Sequence, residues 1–186
     1  MDAMHRKSFG KMTCPVARSL ERVGEWWSIL ILRDALRGMT RFDQFQKSLG
    51  IAPNMLARRL NALVAAALLE RRRYSEHPPR DEYVLTARGR DFRMVTLALL
   101  TWGNRHFAPE GPSVLLVDAE SGVPVDAVLV DRKTGRPITE AEHRYVAGAA
   151  AKERVRKRRG AIPPELAAAK SKRSPRRRSA PTRATS

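Results

Sequence analysis

Cysteine occurs once in the 186 residues, at Cys14, so an internal disulfide framework is excluded and a reducing compartment is expected. Long apolar runs are missing as well. The longest, ALVAAALL over Ala62–Leu69, is far short of the ~20 residues that a membrane span needs. No apolar core follows the basic residues near the start, so no signal peptide is expected and a cytoplasmic, nucleoid-associated protein is. The 11 glycines form neither G-x-G-x-x-G nor a Walker-type loop. His5, His77, His106 and His143 are scattered, with no pair at metal-ligand spacing, and nothing recommends pairing Cys14 with any of them as a nucleophile. These absences argue against an enzyme, a cofactor and a metal site. Acidic residues are scarce too: 19 against 36 basic ones, a net charge of +17. An excess of that size points to a polyanionic partner, nucleic acid before an anionic membrane. Thirteen of the basic residues and only two acidic ones lie from Lys152 onward, so that stretch carries +11 and residues 1–151 carry +6.

What is present is a succession of short amphipathic segments. Ala17, Leu20 and Val23 form one helical stripe that Gly24 would end. Trp26 to Leu36 is apolar on nearly every side, and its length and the Arg33–Asp34 pair favour a buried helix over a strand. Thr40 and Asp43 are spaced as a capping box, followed by Phe42, Phe45 and Leu49 on one face and a stop at Gly50. Pro53 then suits a first helical turn, after which Leu56, Leu60, Leu63 and Val64 cluster on one third of the wheel, opposite Asn54, Arg58, Asn61 and Ala65. Leu69–Tyr74 and Asp81–Leu85 read as strands broken by Pro78–Pro79, Thr86 as a cap, and Arg88–Phe107 as a helix with Phe92, Val95, Leu99, Trp102 and His106 in its stripe. That last helix is apolar on more than one side, which calls for a second surface such as a second subunit. The order predicts a mainly α chain with a small β-wing, a winged helix-turn-helix, whose second short helix would enter a major groove while the hairpin reaches the backbone or minor groove.

The stretches CPVARSLERVGEWWSILILRDALRG, RFDQFQKSLGIAPNMLARRLNALVAAALLERR and PPRDEYVLTARGR together resemble the HxlR-type branch of the MarR-like bacterial transcriptional regulators, over about Cys14 to Phe107. The resemblance implies a homodimeric repressor or activator on an inverted-repeat operator, with Ile51–Leu68 as recognition helix and the N-terminal and Arg88–Phe107 helices as dimer interface. The family usually has Gly before the apolar pair entering the wing, where this chain has Ala67. Alanine is expected there only at negative φ.

With that fold, Asn54 and Arg58, and further along Asn61, are the candidates for reading base edges, because Arg pairs bidentately with guanine and Asn with adenine. Arg41, Lys47, Arg59, Arg72 and Arg80 are the candidates for phosphates, and Arg71 and Arg73 of the wing are expected to supply phosphate contacts as well. Cys14 precedes Pro15 at a helix start with Arg18 nearby, and reads either as a small buried filler or as a thiol sensor of oxidants or electrophiles. Trp26 and Trp27 diverge by ~100° on a helix and cannot both face an effector. At least one should pack in the core.

Residues 1–13 read as an arm, 14–110 as the DNA-binding and dimerisation domain, 111–150 as a small β-hairpin and helix extension, and 151–186 as a basic tail. The stretch SVLLVDAESGVPVDAVLVDRKTGRPIT should form two or three strands, with alternating Val128 and Val130 against a covering surface. Some longer relatives carry a ribbon with paired Cys there, and DAESG and DRKTG have none, so zinc binding is not expected. Glu140–Arg159 should continue as a helix. Beyond it the Ala, Pro, Ser, Lys and Arg composition cannot bury a core, which predicts a disordered arm that follows DNA phosphates. The functional expectation is a sequence-specific regulator of double-stranded DNA, responsive to a small molecule or oxidant. The alternative is an architectural nucleoid protein.

Overall fold

The computed structural model describes Met12 and residues 14–160, so the rest of the expected N-terminal arm and the expected disordered tail lie outside the described residues. The chain divides into two compact units, one ending at Pro137 and the other starting at Ile138. The first begins with α1 (Pro15–Val23), α2 (Trp26–Leu36), α3 (Phe42–Leu49) and α4 (Pro53–Ala65). Gly24 ends α1 as expected: its N–H donates to the Leu20 carbonyl at 2.7 Å, and a Cβ there would collide with that carbonyl oxygen. α2 is the buried helix, with Ile31 and Leu32 sealed in the core beside Phe45, Leu56, Leu60 and Leu63. The two tryptophans part as helical geometry demands. Trp27 packs on the core and Trp26 is 72% exposed.

α3 starts one residue later than its sequence implies. The Thr40 carbonyl accepts the Tyr83 N–H at 2.7 Å and Arg41 bridges Glu82, so these residues are extended and prolong the wing sheet. Gln44, in place of Asp43, does the reciprocal capping: its Oε1 accepts from the N–H groups of Thr40 and Arg41, both at 3.0 Å. Gly50, at φ +60°, closes α3 in the left-handed region. α4 buries Leu56, Leu60 and Leu63 as its period requires.

The exit from α4 departs from expectation. Ala67 has φ +53°, and it sits in the reverse turn that usually takes Gly, with the Leu68 N–H donating to the Leu63 carbonyl (2.9 Å) and its own N–H to that of Val64 (2.8 Å). Two side chains hold the turn from outside. Thr86 Oγ1 donates to the Ala67 carbonyl at 2.8 Å, and Arg88 Nη1 donates to that of Ala66 at 3.0 Å. A left-handed alanine costs ~1–2 kcal/mol, of which glycine's greater unfolded-state freedom recovers only part. Ala67→Gly should therefore stabilise the protein by about 0.5–1 kcal/mol, read from thermal or urea unfolding.

β1 (Leu69–Glu76) and β2 (Pro79–Leu85) pair antiparallel with Leu69 opposite Leu85, Arg71 opposite Tyr83 and Arg73 opposite Asp81, and an irregularity between Arg73 and Ser75. The strands run closer to the tip than Pro78–Pro79 suggests: only His77 and Pro78 turn, and Ser75 Oγ donates to the Pro78 carbonyl at 3.0 Å. Thr86 caps α5 (Ala87–Asp91), accepting from the Gly89 N–H at 3.0 Å. Phe92 then breaks the expected single helix, and α6 (Arg93–His106) follows with none of its residues fully buried. No helix among the described residues is long and apolar enough to cross a membrane.

Residues 113–137 form turns in place of the expected strands. Asp118 and Asp131, 13 positions apart, each open a five-residue turn closed by Gly122 and Gly135 at φ +69° and +72°. Asp118 Oδ1 accepts from the N–H groups of Glu120 and Ser121 and from Ser121 Oγ; Asp131 accepts from the Lys133 N–H and from Thr134 Oγ1. Sheet pairing shrinks to single bridges, Val117 to Pro124 and Val130 to Pro137, and Val128 and Val130 are exposed. In the second unit the expected Glu140–Arg159 helix shortens to α7 (Glu153–Arg159). Thr139 and His143 close a local turn upstream, and the Ala147 N–H donates to the Gly160 carbonyl at 2.9 Å.

Candidate nucleic-acid interface

Burying one leucine face of α4 leaves the opposite face outward, and Asn54, Arg58 and Asn61 are all exposed on it. Asn54 Oδ1 accepts from the Met55 N–H at 2.7 Å, and Arg58 Nη2 rests 3.1 Å from Met55 Sδ. Neither contact uses a carboxylate. At one end of α3, Arg41 is exposed with its guanidinium 4.7 Å from the centre of the Tyr74 ring. Tyr74, a wing residue that the sequence reading left without a role, thus steadies Arg41 at the junction of α3 and the hairpin. Lys47 is exposed in the last turn of α3.

Arg59 belongs elsewhere. Its Nη2 lies 3.0 Å from Glu25 Oε2 and its side chain is only 17% exposed, so it ties α4 to the start of α2. The expected phosphate role is corrected for that reason. The wing needs a similar correction. Arg72 pairs with Glu70 at 3.0 Å, and Arg71 and Arg73 both bind Asp81, with Nε to carboxylate distances of 2.6 Å. Arg72 holds the Glu70 carboxyl below its usual range, and Arg73, then Arg71, does the same for Asp81. Arg80 alone among the wing arginines has no carboxylate partner among the described residues. Sequence symmetry about the His77–Pro78 tip would set Arg73 opposite Glu82, and the irregularity between Arg73 and Ser75 moves it opposite Asp81.

Cys14 is exposed at the N-cap of α1 in the single chain, so it fills no core space within its own subunit. Arg18 Nε donates to the Met12 carbonyl at 2.6 Å.

An α3–turn–α4 pair with an attached two-stranded wing is the geometry that places one helix in a major groove and a ribbon beside it. A family model described as HxlR-like helix-turn-helix matches residues 22–111. An HTH-type transcriptional regulator of Mycobacterium tuberculosis, itself uncharacterised, is 42% identical over 125 residues, which is 67% of this chain and 79% of that one. Among solved structures, a proposed transcription factor of Pseudomonas aeruginosa is 57% identical, covering 78% of this chain and 99% of its own, with a TM-score of 0.57. The proposed transcription factor PA1607 is 39% identical over 76% of this chain and all of its own, with a TM-score of 0.68. With the helix pair, the wing and these relatives in agreement, the chain belongs to the HxlR-like helix-turn-helix family of transcriptional regulators.

Proposed function

We propose that the protein is a homodimeric, sequence-specific regulator that reads an operator with the exposed face of α4. The observation that carries this reading is the pairing of three fully buried leucines on one side of α4 with Asn54, Arg58 and Asn61 outward on the other. Arg58 and the two asparagines read base edges. Arg41, Lys47 and Arg80 contact phosphates and set the register. Dimerisation buries the apolar residues that the monomer leaves exposed, Val16 and Leu20 on α1 and Met94, Val95, Leu99 and Trp102 on α6. The basic stretch from Lys152 onward adds sequence-independent affinity.

Footprinting on the DNA beside the protein's own gene tests the proposal. A discrete protected palindrome is expected, bound well ahead of a scrambled duplex at physiological salt. Uniform protection, with both duplexes held equally, would overturn it in favour of an architectural protein. The ion pairs of the wing make a separate prediction. Asp81→Asn removes the shared partner of Arg71 and Arg73 and should free Arg71 for phosphates, and Arg73 too apart from its longer contact with Glu76 at 3.6 Å. Affinity should rise for specific and scrambled DNA alike, and the salt slope should steepen by up to about 2. Titrations at several salt concentrations measure this.

A further inference from the structure

Between α2, α6 and residues 114–116 lies a cavity of about 370 Å³, walled by Leu30, Leu36, Leu97, Leu100 and Leu115. That is within the range of small-molecule sites, and like them it combines apolar walls with a few polar groups. Here the charged groups carry one sign: Arg33, Arg37 and Arg93 line the cavity with the neutral Thr96, and no carboxylate among the described residues does. Arg93 is exposed and has no carboxylate partner among the described residues. Arg33 and Arg37 lean instead on Asp34, at 2.8 and 3.9 Å. We infer that this cavity is an effector site for an apolar monocarboxylate, aromatic or medium-chain, whose body lies among the leucines and whose carboxylate meets Arg93. A neutral apolar ligand would give Arg93 no partner, and a small inorganic anion would leave the leucine walls unfilled.

The site is wired to the DNA-binding helices. Asp34 is fully buried, and its second oxygen accepts from Ser48 Oγ at 2.8 Å, on α3. A ligand carboxylate that draws Arg33 or Arg37 toward the cavity removes charge compensation from Asp34, whose bond to Ser48 then readjusts. Ligand binding and the placement of α3 are therefore coupled, and each biases the other. This second arm rests on the regulator reading, whereas the binding arm does not.

Binding is measured on the full chain without DNA, using benzoate and octanoate against benzamide and octanol. Saturable binding of the carboxylates is expected, about tenfold or more tighter than their uncharged counterparts. Arg93→Gln should weaken it about tenfold, and Leu100→Trp, which fills the cavity, should abolish it; circular dichroism checks that both variants fold, and Arg93→Gln is a surface change that serves if the other does not. Equal binding of charged and uncharged ligands, or affinity unmoved by either variant, overturns the site. So does a wild type that binds no carboxylate while Leu100→Trp turns a dimer into a monomer, for the cavity would then belong to a second copy of the chain. In the DNA arm, Ser48→Ala should keep carboxylate affinity and lose the ligand-dependent change in operator affinity. A change as large as in the wild type overturns the coupling.

Discussion

Arg58→Ala should lower affinity for the operator by about ten- to a hundredfold and leave affinity for a scrambled duplex nearly unchanged, the loss of one bidentate base contact being worth ~1–3 kcal/mol. Arg58 stands between Asn54 and Asn61 on the outward face of α4, with its guanidinium resting on the thioether of Met55. No carboxylate among the described residues competes for the guanidinium, so little is lost when it turns to a base edge. The fold should barely notice the change, because exposed substitutions away from special features shift stability by about 0.5 kcal/mol or less. Fluorescence anisotropy with both duplexes, over a range of salt, separates the roles. A uniform loss on the two duplexes, with the salt slope reduced by about 1, would place Arg58 among the phosphate contacts instead.

The largest effect on stability is expected at Gly89, where Ala should destabilise the chain by about 3 kcal/mol, the upper end for overpacking a tight core. A Cβ at this buried position would overlap the carbonyl oxygen of Leu68 and lie 2.9 Å from Leu85 Cδ2. The leucine tip could rotate; the carbonyl cannot easily do so. It accepts the Thr86 N–H at 3.1 Å, and Thr86 Oγ1 lies 3.3 Å from it while also holding the Ala67 turn. Relief therefore means pulling α5 away from the wing base and loosening the exit of α4 with it. Urea unfolding with an unchanged m-value measures the loss. A shift under about 1 kcal/mol would mean that α5 packs less tightly than the geometry indicates.

How far the sequence could be read depended on whether a local pattern or a distant partner decided each feature. The leucines of α4, the stop at Gly24 and the divergence of the tryptophans follow from helical period and chain geometry, and all were legible. Arg59 was not, because its flank position fits a phosphate contact as well as the bond to Glu25 that only the packing of α4 beside α2 reveals. Thr40 has the chemistry of a cap, yet the wing claims its backbone first. Ala67 was misjudged because the strain is offset by Thr86 and Arg88, about twenty positions away. The valines of residues 113–137 alternate as strands do, but the aspartates between them bind their own turns more readily than a ladder can form. Of the candidate interface, the α4 face was visible in advance. The cancellation of charge within the wing required the hairpin register.

The paired turns at Asp118 and Asp131 carry their own fastening. Each is clasped by carboxylate oxygens accepting hydrogen bonds from neighbouring N–H and hydroxyl groups, a closure that involves no thiol. Acid is what undoes it. The Ser121 N–H holds the Asp118 carboxyl below its ordinary range, and the Lys133 N–H does the same for Asp131. Because these values are lowered by folding, the clasps are complete at neutral pH and open only as acidity passes the depressed values.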